Sequence, residues 1–396
     1  MSNSVHKSLE TCSLADSIDI DSRAITAECE LPHLIKNDNV NDFREQAFMW
    51  VKRYMGGPWA RAELKHFRCK GMRGDLTNYL YVCKLLLWDG ENDGLKVLKS
   101  EADYPTKVTL KVYGEIENYQ GFNKVEMMTL NVILAERHYI PKIFALFPDG
   151  RFEQYEKSRQ LRATEIRKAE VTNTLADYLA EYHKMDMPFG KVAGRLEETL
   201  DHYHSMALST HFEDEDKAKL LKKIVRYNID EELDTLKDIC FPCNDEVVFC
   251  HNSLGEGNLL LTGHKDDRRV QVVGCDMSSY NYRSYDFGHF FATMQFDFSS
   301  SSFPYFTRDR SFIPSEEDRR EMIVRYVRRL DLPVAHQNVT EEKLMEYSEK
   351  FILAAHFLHG CWGIVQAEVS ELQFGYLEYA LACFQAYFEH KILNNL

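Results

Sequence analysis

A chain of 396 residues, 44% hydrophobic and 28% charged, is long enough for one large domain or two lobes around a sizeable core. Its 48 Lys and Arg against 62 Asp and Glu leave a net charge of −14, a poor balance for a general binder of nucleic acid or anionic membrane, since both reward clustered positive charge. A local basic cleft for one phosphorylated ligand stays open, and the 12% aromatic content argues against disorder.

Residues 1–43 are polar and without sustained periodicity, and a mobile tail is expected there. The opening MSNSVHKSLETCSLADSIDIDS is no secretory signal, so a cytoplasmic protein with reduced thiols is expected. The spacing predicts a helix from Asp42 to Met55, broken by Gly56-Gly57-Pro58. Strands are predicted at 66–73, 79–88 and 107–113, then a helix over 125–137. A hairpin is predicted from Ile143–Phe147 and Arg151–Tyr155 around Pro148-Asp149-Gly150. Helical patterns follow at 164–184, 194–208, 214–238, 315–330 and 341–391, interrupted by a strand-rich island at 246–276. The fold class expected is therefore α+β and bilobal, with a small antiparallel β lobe over 44–155 and a larger, mainly helical lobe over 156–396. No stretch reads as a membrane span; Phe351–Ala367 is apolar but carries His356, His359 and Gln366, which suits a buried helix. Cys240 and Cys243 form a C-x-x-C, yet a zinc site needs two more ligands, and the segment leading to Cys250 and His251 reads as a buried strand.

The island carries the chemistry. An apolar strand, Val247–Cys250, ends in the polar loop His251-Asn252-Ser253-Leu254-Gly255-Glu256-Gly257-Asn258, after which Leu259 resumes an apolar run. A second strand, Val270–Val273, runs on into Gly274-Cys275-Asp276. In kinase-like phosphotransferases a loop of this shape supplies a base Asp, an Asn five residues later binds Mg²⁺, and the next hairpin delivers a second metal-binding Asp.

From about residue 44 to 391 the chain resembles the choline/ethanolamine kinase family, which has the protein-kinase-like fold. The resemblance is carried by Met72–Asn78, Leu110–Gly114, Ile133–Arg137, Gly150–Tyr155, Ser278–Arg283 with Asp286 and Gly288, and Phe374–Ala380. It implies ATP and Mg²⁺ as cofactors and phosphoryl transfer to the hydroxyl of choline or ethanolamine, a small amino alcohol on the route to phospholipids. It further implies a nucleotide site at Arg73, Asn78, Lys111, Glu153, Gln154 and Tyr155, and a metal position at Asn258. His251 falls in the catalytic loop, where the family histidine serves to order the loop. An amine cage would comprise Phe298, Trp362, Phe374 and Tyr379, with His359 where the family has Trp and Thr293 where it has Glu.

Two departures bear on activity. The family's base Asp is Ser253 here, and a neutral hydroxyl does not accept the substrate proton at pH 7. The family's metal Asp is Gly274; Asp276 matches the family's Glu, two residues on, and is not an obvious replacement ligand. The helix partner of Lys111 is open between Glu126, beside Met127, and Glu136. Asp286-Phe287-Gly288 spells the protein-kinase metal tripeptide, but its register points to a structural turn in which Asp286 braces the loop. Three functions are consistent with these residues: a choline or ethanolamine kinase, a pseudokinase that acts by binding or by pairing with an active relative, and a kinase for another small amino alcohol. A homodimer, or a heterodimer with a relative, is the assembly the resemblance allows.

Overall fold

The structure, a computed structural model, describes residues 40–72, 76–86, 104–114, 123–241, 243–263 and 268–396. Most of the expected tail (1–39) and Arg73 lie outside the described residues.

The first part is built on a five-stranded antiparallel sheet. Helix α1 (Val40–Tyr54) ends at Gly56 and Gly57, both at positive φ, and α2 (Gly57–Arg61) starts with Pro58 in its first turn. Strands β1 (Phe67–Met72), β2 (Tyr79–Leu85) and β3 (Lys107–Val112) precede α3 (Lys124–Glu136), and β4 (Ile143–Phe147) and β5 (Gly150–Gln154) follow it. The strand order is β1-β2-β3-β5-β4. Alternation sends Val108 and Leu110 into a core with Cys83, Phe152 and, from the first two helices, Val51 and Trp59. Asn123 caps α3, accepting from the Val125 and Glu126 N–H groups.

The second part is mainly helical. It comprises β6 (Ser158–Gln160), α4 (Ala163–Ile166), α5 (Ala169–His183), α6 (Gly194–Ser209), α7 (Glu215–Val225) and α8 (Ile229–Cys240). Then come β7 (Val247–Cys250), β8 (Leu259–Thr262), β9 (Arg269–Val272) and β10 (Ser279–Tyr282). The chain closes with α9 (Arg283–Thr293), β11 (Phe296–Asp297), β12 (Thr307–Arg308), α10 (Glu316–Arg329), α11 (Val334–Val369) and α12 (Tyr376–Leu393). Small ladders β6-β8-β9 and β7-β10 hold the loop that carries the site. The helix α11 passes through the centre, and Phe351, Leu353, Phe357 and Ile364 along it are buried with Phe384 and Tyr387 of α12. Among the described residues no helix is long and apolar enough to cross a membrane.

Several boundaries differ from the sequence reading. The 214–238 pattern is two helices, because Asn228 takes a left-handed φ of 51°, which Asn tolerates better than most residues. The 341–391 pattern divides at 370–375, and 164–184 divides between α4 and α5. The tripeptide Asp286-Phe287-Gly288 is not in a turn but inside α9. Every residue of that helix is buried, so it has no polar face and no 3.6-residue signature.

Candidate active site

The loop after β7 is held from below by Asp286. Its Oδ2 accepts the His251 N–H and its Oδ1 the Asn252 N–H, both at 2.7 Å. The His183 ring bonds Oδ2 at 3.0 Å, and the Tyr326 hydroxyl bonds the other ring nitrogen at 2.8 Å. Burial opposes ionisation of Asp286, but His183 and the loop donors outweigh it and the carboxyl titrates below its ordinary value. Asn252 sits at φ 63° and bridges to Met277 O (3.0 Å), Ser279 Oγ (2.9 Å) and the Asn281 amide (2.8 Å). His183, Cys250 and Asp286 are close enough to gather a cation. Their hydrogen bonds face inward, however, and burial pushes the Cys250 thiol well up, so this cluster reads as the loop's brace.

His251 belongs to that brace. Its Nε2 meets Val273 O at 3.1 Å, which requires a proton on Nε2, and its Nδ1 then accepts the Ser253 N–H at 3.3 Å. Burial lowers its pKa, keeping the ring neutral. The side chain is fully buried and absent from the cavity wall, so its place among the catalytic candidates is corrected to loop ordering.

The reactive face of the loop is closed upon itself. Asn258 Nδ2 donates to Ser253 O at 2.7 Å and to Ser253 Oγ at 3.2 Å. Gly274 has φ 76° and ψ 33°, a left-handed backbone that favours glycine. A Cβ on Gly274 would overlap the Asn258 carboxamide, coming within 2.8 Å of its Nδ2 and closer to its Oδ1 and Cγ. Asp276, which lines the same cavity as Asn258, is held in an ionic cluster. Its Oδ2 meets Lys111 Nζ at 2.6 Å, and its Oδ1 accepts from Arg151 Nη1 at 2.7 Å and Asn131 Nδ2 at 3.0 Å. Burial alone would raise this carboxyl; Arg151 first and Lys111 next hold it far below the carboxylate range instead. Asp276 is thereby corrected from metal candidate to interlobe ion-pair partner. Lys111 likewise pairs with Asp276 rather than with an α3 carboxylate: Glu126 reaches Arg195 at 3.1 Å, and Asn131 is the α3 side chain turned to the cluster.

Mg²⁺ is a hard cation that takes oxygen ligands, carboxylates above all. Here one family position has no side chain, the second is bonded to the loop, and the neighbouring carboxylate is already paired with two cations. The residues present do not fit the metal.

Above this face lies a cavity of about 240 Å³. Its roof includes Met72, Asn78 and Leu80 from the β1–β2 hairpin, and its floor Ser253, Asn258 and Gly274. Phe298, His359, Trp362 and Tyr379 form the far wall. Phe374 is buried one layer behind, 6.1 Å from the Phe298 ring and 5.9 Å from Tyr379, and does not line the cavity. Of the nucleotide candidates Asn78 is on the wall, while Glu153, Gln154 and Tyr155 are not. Glu153 accepts from Arg151 Nε, Gln154 lies in register with Val108, and the Tyr155 ring lies 3.6 Å from Lys107 Nζ.

The wall ends in a hydrogen-bond relay that the sequence did not reveal. His289 Nδ1 bonds Leu254 O at 2.9 Å, so Nδ1 carries the proton and Nε2 accepts. His359 Nε2 therefore donates to His289 Nε2 at 3.1 Å, and the Tyr379 hydroxyl donates to His359 Nδ1 at 3.1 Å. Burial pushes His289 down to about 4 and His359 well below its ordinary value. The relay is neutral and connects the cage wall to the catalytic loop. Thr293, at the position of the family's cage Glu, donates its hydroxyl to Phe290 O at 3.0 Å.

A small antiparallel sheet over a helical body, with a loop and hairpin forming the site between them, is the architecture of protein-kinase-like small-molecule phosphotransferases. Within that class the family described as choline/ethanolamine kinase matches residues 69–388. The chain is 34% identical to choline kinase alpha of Mus musculus over 374 residues, covering 88% of this chain and 81% of that one. It is 32% identical to choline/ethanolamine kinase of Homo sapiens over 356 residues, 88% of this chain and 87% of the relative. Among solved structures it resembles Plasmodium vivax ethanolamine kinase (TM-score 0.69, 17% identity, 89% and 90% covered). It also resembles choline kinase from Cryptosporidium parvum (TM-score 0.65, 20% identity, 88% and 95% covered). The chain belongs to the choline/ethanolamine kinase family.

Proposed function

We propose that this family member binds a small amino alcohol of the choline or ethanolamine type and does not transfer phosphoryl to it by the family's base-and-metal route. The observation that carries this reading is the contact of Asn258 with both Ser253 and Gly274. Where the family has a base Asp and a metal Asp, this chain has a hydroxyl and a bare backbone, and the Asn258 carboxamide fills the space between them. The binding half of the reading is supported by the aromatic wall. Trp362, Tyr379 and Phe298 are rings to which a cation is attracted, at about 1–2 kcal/mol for a desolvated contact.

Two measurements test it together. Calorimetry with choline and with ethanolamine is expected to register binding of at least one. Coupled ATP consumption with the same amines is expected to stay at the rate measured without protein. Turnover at 1 s⁻¹ or above, within the usual range for kinases at roughly 1–100 s⁻¹, would overturn the reading. The chain would then be an ATP-dependent choline or ethanolamine kinase using another carboxylate. Absence of binding by either amine would remove the ligand half.

A further inference from the structure

The β1–β2 hairpin, whose turn the resemblance assigns to nucleotide, holds two cysteines opposite one another. Cys69 and Cys83 are direct partners in the antiparallel register, and their sulfurs are 4.0 Å apart. Both are free thiols. Directly opposed residues in such a ladder have Cα atoms roughly 4.5–5.5 Å apart, inside the roughly 4.4–6.8 Å span that a disulfide bridges. Side-chain rotation therefore suffices to bring the sulfurs to bonding distance, with no change of register.

The two thiols differ in a way that orders the chemistry. Cys83 is fully buried in the core beneath α1, whereas Cys69 is half-buried on β1, the edge strand of the sheet. Burial, then the contact with Cys69, pushes the Cys83 thiol well up, so it stays protonated and shielded. The remaining described cysteines lack this arrangement. Cys275 is buried and pushed up to about 12; Cys240, also at about 12, turns its thiol to Lys350 O at 3.4 Å, and its neighbour Cys243 is at about 11.

We propose that Cys69 and Cys83 are an oxidation-responsive pair that a peroxide converts to a cross-strand disulfide, locking the hairpin that roofs the cavity. The Cys69 sulfur attacks a peroxide oxygen; the S–O bond forms, the O–O bond breaks, and one water leaves, giving a sulfenic acid. The Cys83 sulfur then attacks the Cys69 sulfur; the S–S bond forms, the S–O bond breaks, and the hydroxyl leaves with the Cys83 proton as a second water. Two thiols are oxidised by two electrons and one peroxide is reduced to two waters. A thiol reductant restores the pair.

The test uses the full reduced chain and hydrogen peroxide, followed by alkylation, digestion and mass spectrometry. The expected product is one linked peptide pair, Cys69 to Cys83, lighter by two hydrogens and reversed by dithiothreitol. It is absent from both Cys69→Ser and Cys69→Ala, whose half-buried site tolerates the change. Oxidation should raise Tm by a few degrees in the parent, by restricting the unfolded chain, and leave both variants unmoved. Recovery of Cys69 only as sulfinic or sulfonic acid while Cys83 remains a thiol would overturn the proposal. So would a link from Cys69 to any other cysteine, Cys12 and Cys29 included.

Discussion

The two faces of the loop at 251–258 have met opposite fates. The face turned to α9 is a fully connected brace: Asp286, His183, His251 and Asn252 each meet partners at hydrogen-bond distance. On the face turned to the cavity, Ser253, Asn258 and Gly274 lean on one another, and the nearby carboxylate of Asp276 serves Lys111 and Arg151. On the function proposed above, the comparison teaches that such a loop can keep its shape while its chemistry changes. The shape is determined from behind by buried polar groups that are destabilising if left unpaired; the chemistry rests on two side chains in front.

The largest effect expected from breaking this arrangement is at Asp276. Asp276→Ala leaves Lys111 and Arg151, both almost fully buried, without their shared carboxylate. Removing one partner of a buried ion pair typically destabilises by about 3–5 kcal/mol. Ser253→Ala, which removes one acceptor at 3.2 Å, should lower stability by less than about 1 kcal/mol. Urea denaturation of the two variants measures the contrast, and equal midpoints would show that the ion cluster does not hold the lobes together.

That cluster also marks how far the sequence can be read. The five strands of the sheet were legible because apolar alternation and turn residues are local signals, and the loop was legible from its polar run between apolar strands. Lys111 and Asp276 are 165 residues apart, and Arg151 and Asp276 are 125 apart; no local pattern links a strand cation to a hairpin carboxylate. Helix α9 escaped because burial on every side erases the polar face that periodicity needs. The family resemblance places Phe374 in the cage, yet its depth behind Phe298 and Tyr379 is fixed by tertiary packing.

A second way to sharpen the contrast is to rebuild the reactive face. Ser253→Asp supplies a base, which contributes typically about 10²–10⁴-fold, but alone it faces a site with no metal carboxylate. Gly274→Asp alone must displace the Asn258 carboxamide and adopt a φ of 76°, a strain of order 1–3 kcal/mol. The double variant is expected to raise ATP-dependent turnover of choline or ethanolamine by about 10²-fold or more, beyond the product of the single changes, because the groups act as a unit. Multiplicative behaviour would show that another residue already supplies base or metal ligand. Thermal melts of all four proteins separate inactivity from misfolding.

Acid should loosen the brace and the relay, with a smaller effect per group. His251, His289, His356, His359 and His390 all have folded-state pKa values pushed down, burial first among the causes. A histidine with a depressed folded value favours the fold fully above its ordinary value of 6.5 and loses that contribution as pH falls. For His289 the window runs from 6.5 to about 4. Each such group weakens the fold by up to about 1.4 kcal/mol per pH unit within its window. Urea midpoints at pH 7.5, 6.5 and 5.5 should therefore fall progressively, and His289→Gln should flatten the slope. A midpoint independent of pH would mean that these rings take up protons as readily in the folded chain as in the unfolded one.

The smallest expected effect is a deliberate near-zero. If His359 titrated at its ordinary value of 6.5 it would become a cation in the cage wall, and amine binding would weaken as the pH fell past neutrality. The relay prevents this: His359 donates a hydrogen bond to His289 and accepts one from the Tyr379 hydroxyl, and with burial both rings stay neutral. Whichever amine binds should do so with an affinity that changes less than about twofold between pH 8 and pH 6, since the ammonium of ethanolamine and the quaternary nitrogen of choline carry their charge throughout most or all of that range. Calorimetry at the two values decides it. A tenfold weakening, equivalent to 1.4 kcal/mol, would place a titrating cation in the wall. Loss of that weakening in His359→Gln would then identify His359 as its source and show that the relay is not closed in solution.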